Sequence, residues 1–145
     1  MQIIDKKYYN SLIQFISKNK LSKNIIIFNN LSSLYLPMLY KNSNLYVFTS
    51  YSEVFGLTSL EAMTYGCNVL ISNKSSLPEI NNDAADYFDP DNIENIKKKI
   101  KINLEDKTHI DKLKENAKKR LKLFNWQNTV SETLNIIEEE LLTYK

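Results

Sequence analysis

With 145 residues, 43% of them hydrophobic, the chain has the size of one domain and enough apolar material for one core. Lysine and arginine together number 19 against 17 acids, and the resulting net charge of +2 gives no field that would indicate a nucleic-acid partner. A single cysteine, Cys67, excludes an internal disulfide; no run reaches the roughly 18 apolar residues of a membrane span, and MQIIDKKYYN lacks the apolar stretch of a secretory signal, so a cytoplasmic protein is expected.

In chain order, Tyr8, Leu12, Phe15 and Ile16 recur at helical spacing and predict a helix over residues 5–18. The β-branched run Ile25 to Phe28, closed by Asn29-Asn30, predicts a buried strand and turn. Leu34 to Tyr40 predicts a helix with Pro37 near its first turn, where a missing amide costs little. Leu45 to Thr49 predicts a second strand. Ser50 to Gly56 then forms a polar loop leading into a helix over Leu57 to Tyr65 that stops at Gly66. Asn68 to Ser72 contains Val69, Leu70 and Ile71, an apolar run suited to a parallel strand covered on both faces. A loop over Asn73 to Leu77, a helical turn at Pro78-Glu79, a brief strand over Asp86 to Phe88 and a turn at Asp89-Pro90-Asp91 follow. Three helices, the first two lysine-rich, are then expected over 92–104, 108–123 and 126–142, the last capped by Asn125. Strands alternating with helices predict an α/β fold, a parallel sheet flanked by helices with a helical C-terminal tail.

Ligands of such sheets bind at the carboxyl ends of the strands, and here that edge includes Ser50 to Gly56 and Asn73 to Leu77. The helix after Gly56 presents amides without intrahelical acceptors at the positive end of its dipole, a place for an anion. Glu53 precedes that helix and Glu61 lies one turn inside it, so two carboxylates flank the anion site. Carboxylates suit sugar hydroxyls, which donate hydrogen bonds, and repel phosphates themselves; the pattern is that of a diphosphate attached to sugars. Arg120 is the only arginine, so phosphate is expected to be held by backbone amides or lysine.

The stretch SYSEVFGLTSLEAMTYGCNVLISNKSSLPEI resembles the signature of the large retaining glycosyltransferase family with the two-domain GT-B fold, glycosyl transferases group 1 (family 4 type). Its core is Glu, seven residues, Glu, present as Glu53 and Glu61 and followed by Ala62-Met63, Gly66 and Pro78-Glu79; Tyr87-Phe88-Asp89-Pro90 and Phe124-Asn125-Trp126 are similar to later landmarks. The resemblance runs from about Ile25 to the C-terminus and implies a Rossmann-like donor domain, part of the C-terminal half of a GT-B fold. It implies that Glu61 binds the ribose hydroxyls, that Glu53 is the catalytic residue contacting the transferred sugar near its reacting carbon, and that the amides of Phe55, Gly56, Leu57 and Thr58 meet the sugar and diphosphate. It implies a nucleoside-diphosphate sugar as donor, no metal or other cofactor, and an acceptor of unspecified class: glycan, lipid or small molecule. The family's earlier strands, with an arginine and lysine for the diphosphate, and its acceptor-binding N-terminal domain are missing from this stretch, so catalysis by the chain alone is not expected. Val54 stands where a small residue is common, and Asn30 where a glycine commonly follows the strand.

Competing readings accompany these. Thr58-Ser59-Leu60-Glu61 matches a capping box, which would make Glu61 a structural acceptor. Lys74 reads as solvent-exposed, Cys67 as packing, and His109 as neither a metal ligand nor an acid/base group. The lysine clusters 97–99 and 118–120 read as solvated faces, with a peripheral contact to anionic lipid as the lesser reading. The family fold could also serve as a non-catalytic nucleotide-sugar-binding or interaction module. Val130, Leu134, Ile137 and Leu141 form an apolar stripe, expected to pack on the chain's own sheet or, failing that, to support a homodimer.

Overall fold

A computed structural model describes residues 6–143. Where composition leads to an expectation of one domain, the contacts divide the chain at Ser33 into two units, Met1–Ser33 and Leu34–Lys145.

In the first unit the expected helix is α1 (Lys6–Lys18), residue 5 lying outside the described residues. It ends in a Schellman arrangement: the Leu21 amide donates to the Ile16 carbonyl at 2.9 Å and the Lys20 amide to Ser17 at 3.0 Å, with Lys20 at φ 58° in the left-handed position usual for glycine. The expected strand over Ile25 to Phe28 does not form. β-branched side chains fit a pleated surface, but a strand exists only where its amides and carbonyls find a neighbouring strand. These residues enter no ladder among those described, and Ile26 and Phe28 are 79% and 55% exposed. Asn30 adopts φ 58°, so it supplies the left-handed backbone that a glycine would, a conformation asparagine tolerates.

The second unit is built on a parallel three-stranded sheet in the order β1 (Tyr46–Phe48), β2 (Val69–Ser72), β3 (Asp86–Phe88). Phe48 pairs with Ile71, and Ser72 with Phe88. All four residues of β2 are buried, as its continuous apolar run requires of a central parallel strand. α2 (Leu36–Asn42), entered through Pro37, precedes the sheet; α3 (Leu57–Thr64) and the short α4 (Leu77–Asn81) lie between its strands; α5 (Ile93–Glu105), α6 (Lys107–Leu121) and α7 (Trp126–Thr143) follow. Leu60, Met63, Ile71, Leu77, Ile80 and Ala117 are among the side chains of the core that joins sheet and helices. The cap expected at Asn125 is observed, its side chain accepting from the Asn128 amide, and the side chains of Asn92 and Asp106 likewise accept from the amides of Asn95 and His109. At the end of α3, Gly66 takes φ 75° and the Cys67 amide reaches back to the Ala62 carbonyl at 3.1 Å.

The expectation that the stripe of α7 packs on its own sheet is not met. No described residue of α7 is buried, and Val130, Leu134, Ile137 and Leu141 are 53%, 52%, 49% and 65% exposed. The helices that pack on the strands are α3 and α5.

Because the strands are parallel, their carboxyl ends, Phe48, Ser72 and Phe88, share one edge, and the loops 49–56, 73–76 and 89–92 all emerge there.

Candidate functional site

The first of these loops delivers Gly56 as the N-cap of α3, at φ 83° and without any side-chain cap. A Cβ at this position would stand 2.6 Å from Leu77 Cδ2. The missing side chain is therefore used to bring the start of α3 against α4, and the same left-handed turn aims the leading amides of α3 at the strand edge. The capping box does not form: α3 begins at Leu57, so Thr58 lies inside the helix and its hydroxyl accepts from the Tyr46 hydroxyl at 3.0 Å, while Ser59 Oγ donates to the Gly56 carbonyl. With that role gone, Glu61 is an exposed carboxylate on the first turns of the helix.

Two tyrosines report where the carboxylates stand. Tyr46 is held above the usual phenol range, first by burial and then by the charges of Glu61 and Glu53, against the lowering effect of its hydrogen bond to Thr58. Tyr40 is pushed up to about 12 by burial, by Tyr46 and by Glu61. Both carboxylates are near enough to disfavour the Tyr46 phenolate, with Glu53 in the loop before α3 and Glu61 within the helix. Phe55 packs edge-on against Phe124, ring centroids 5.8 Å apart, and an apolar cleft of about 290 Å³ between them continues over Leu57, Leu60 and Trp126. Val54 is 97% exposed, so its side chain does not narrow the site.

The second loop grips the first. Ser75 Oγ accepts from the Glu53 amide at 3.2 Å and donates to the Glu53 carbonyl at 2.7 Å, and Ser76 Oγ donates to the same carbonyl at 2.9 Å. Ser75 holds φ 56°, a conformation that costs a residue with a side chain about 1–2 kcal/mol. Ser76 occupies the N-cap of α4 but caps nothing, because its hydroxyl is turned to Glu53. The third loop joins in: Tyr51 Oη donates to Asp91 Oδ1 at 2.9 Å, and Lys74 Nζ lies 3.5 Å from Asp89 and 3.4 Å from Asp91. Lys74, expected to face solvent, is partly exposed and neutralised by two carboxylates. Arg120 is also committed: it donates to the carbonyls of Ile80 and Glu79 at the end of α4 and lies 5.1 Å from the centre of the Phe124 ring.

The opposite end of the sheet holds a polar cluster that sequence reasoning missed. Asp86, at the start of β3, accepts from Lys99 Nζ at 2.6 Å and Asn103 Nδ2 at 2.8 Å, and contacts His109 Nε2 at 3.2 Å; Asn103 in turn accepts from Asn68. Burial disfavours the Asp86 charge, but hydrogen bonds from Lys99, Asn103 and the Tyr87 amide, with the charge of Lys99, together hold its carboxyl below the usual range. The spacing Lys99, Asn103 on one face of α5 was the available signal, yet in a lysine-rich helix it is indistinguishable from solvated surface.

Residues 2–120 match the family model described as glycosyl transferases group 1. Over 100 residues, 69% of its length, the chain is 36% identical to O-antigen chain mannosyltransferase B of Escherichia coli, of which the matched stretch is 26%. Among solved structures it is similar to a glycosyltransferase from Rickettsia africae ESF-5 (25% identity, TM-score 0.79, 94% of this chain and 37% of that one). It is also similar to the C-terminal domain of a glycosyl transferase group 1 family protein, LpcC, from Francisella tularensis (26% identity, TM-score 0.70, 83% and 64%). The chain spans about a quarter of the length of that mannosyltransferase, and no described helix is long and apolar enough to cross a membrane. The parallel sheet flanked by helices is that of the C-terminal domains of GT-B glycosyltransferases, and the chain belongs to the glycosyl transferases group 1 family.

Proposed function

We propose that this chain is the donor-binding part of a retaining glycosyltransferase that transfers mannose from a nucleoside diphosphate to an acceptor glycan. The observation that carries this reading is the entrance of α3, whose first amides follow Gly56 without a side-chain cap, with Glu53 in the loop before it and Glu61 one turn inside the helix. The amides of Phe55, Gly56, Leu57 and Thr58 take the diphosphate and the adjoining sugar; Glu61 accepts from the ribose hydroxyls and Glu53 from the transferred sugar. The 36% identity to an O-antigen mannosyltransferase supports mannose and a glycan acceptor.

In the proposed reaction the bond from the anomeric carbon to the diphosphate oxygen breaks. A bond from that carbon to the acceptor oxygen forms on the same face, and the acceptor proton passes to the departing diphosphate. The protein contributes electrostatically, through the helix N-terminus toward the growing diphosphate charge and Glu53 toward positive charge on the sugar. This scheme assigns no metal and no histidine base. Lys74 and Arg120 are engaged elsewhere, so the affinity of the chain alone for a nucleoside diphosphate is expected to be weak.

Ligand-detected NMR with UDP, GDP and ADP and their mannose conjugates tests the reading. Binding of one base series, weakened by Glu61→Ala, is expected; absence of any signal at millimolar ligand would overturn it. The neutralised Lys74 favours one alternative, a module that binds without turnover. In a longer protein containing this segment, Glu53→Gln should reduce turnover far more than nucleoside diphosphate binding, whereas a binding module shows no turnover to lose.

A further inference from the structure

We infer that Ser75 and Ser76 are positioning residues that hold the Glu53 backbone so that its carboxylate meets the donor sugar. The inference rests on the sugar-contacting role of Glu53 proposed above. Three hydrogen bonds converge on one peptide segment: the Glu53 amide to Ser75 Oγ, and the Ser75 and Ser76 hydroxyls to the Glu53 carbonyl. Elsewhere the loop is tied through Tyr51 to Asp91 and through Phe55 against Phe124, but only the serines bond the Glu53 peptide itself among the hydrogen bonds described, and the next residue, Val54, is 97% exposed. Pinning both the N–H and the C=O of one residue fixes the direction in which its side chain leaves the backbone.

Both serines act against their local preferences. Ser75 sits at φ 56°, where glycine would relieve the strain but would lack the hydroxyl. Ser76 stands where a serine ordinarily caps the following helix, yet its hydroxyl turns away from α4 to Glu53. Departures of this kind from local rules cluster where a constellation has to be held. The loops after β2 and β3 are themselves linked, through Lys74 to Asp89 and Asp91, and the Asn73 amide donates to the Phe88 carbonyl at 2.9 Å. The serines therefore transmit the rigidity of the sheet edge to Glu53.

The test compares wild-type chain, Glu53→Gln, Ser75→Gly with Ser76→Ala, and the triple variant, each titrated by NMR with a nucleoside diphosphate and with its mannose conjugate. The serine pair should lose about tenfold in affinity for the sugar conjugate. It should keep its affinity for the bare nucleoside diphosphate and its unfolding midpoint, add nothing on top of Glu53→Gln, and be partly rescued by Ser76→Thr. In the ligand-free chain, Ser75→Gly should speed hydrogen exchange of the Glu53 amide. Sugar discrimination lost in Glu53→Gln but kept in the serine pair would overturn the positioning role while leaving the role of Glu53 intact. Unchanged exchange of the Glu53 amide would overturn the grip itself. Equal affinity of the wild-type chain for both ligands, or no binding of either, would overturn the sugar role of Glu53 and this inference with it.

Discussion

The two ends of the sheet handle polar side chains in opposite ways. At the amino end, Asp86 is buried and its carboxylate is met by Lys99, Asn103, His109 and the Tyr87 amide, so the charge is consumed within the fold. At the carboxyl end, hydroxyls and ion pairs spend their hydrogen bonds on loop backbone and on one another, while the carboxylate of Glu61 remains exposed. A closed set of partners stabilises the fold; an exposed carboxylate beside helix amides without a side-chain cap is accessible to a ligand. Substitutions should therefore separate, with the closed end moving stability and the open end moving binding.

The largest expected effect lies where the two demands meet. Gly56→Ala would place a Cβ 2.6 Å from Leu77 Cδ2 at φ 83°. A loss of about 3 kcal/mol is expected from the left-handed backbone and overpacking together. Urea denaturation should show Leu77→Val in the same background restoring the packing part only, and a midpoint unchanged by Gly56→Ala alone would contradict this account of the glycine.

Asp86→Asn comes next, at about 2 kcal/mol near neutral pH, because Lys99 and His109 lose the charge they face. The folded carboxyl titrates below its unfolded value of about 3.9. Its contribution is thus fully present above that value and fades as pH falls through the lower, folded one. The gap between wild type and Asp86→Asn should shrink as pH falls below about 4. A gap that widens toward acid would mean the opposite shift. At the open end, Glu53→Gln and Glu61→Ala should each change stability by no more than about 0.5 kcal/mol, whatever they do to ligand binding; a larger cost would assign either carboxylate to the fold.

The elements that period and turn chemistry specify locally were legible in the sequence. The central strand announced itself by Val69, Leu70 and Ile71, the stop of α3 by Gly66, and the cap of α7 by Asn125. Glu53 and Glu61 were singled out on a different ground, the resemblance of their spacing and surroundings to the family signature. What failed was everything that depends on a distant partner. Ile25 to Phe28 has strand composition but no ladder among the described residues, and the capping-box reading of Thr58 fails because the N-cap falls two residues earlier, at Gly56. The Asp86 cluster joins residues 13, 17 and 23 positions apart, and the Ser75 and Ser76 grip on Glu53 spans 22 and 23, separations that local patterns do not encode.

The smallest effect on stability is expected on α7, and it sharpens the contrast from outside either end of the sheet. Leu134 and Ile137 are 52% and 49% exposed, so neither completes the core, and a charged replacement removes little buried apolar area. Lysine also has a helix propensity close to that of leucine and no β-branch to crowd the preceding turn. Lysine at either position further stands among Glu138, Glu139 and Glu140, three consecutive acids whose mutual repulsion a nearby cation relieves. Leu134→Lys and Ile137→Lys should therefore each leave the unfolding midpoint within about 0.5 kcal/mol of wild type, with Ile137→Lys at the favourable end. Sedimentation over a hundredfold concentration range, run on the same variants, examines the homodimer that an exposed apolar stripe leads one to expect, through its loss in both. Unfolding of either variant would show that α7 is buried in solution and that its stripe belongs to the core after all.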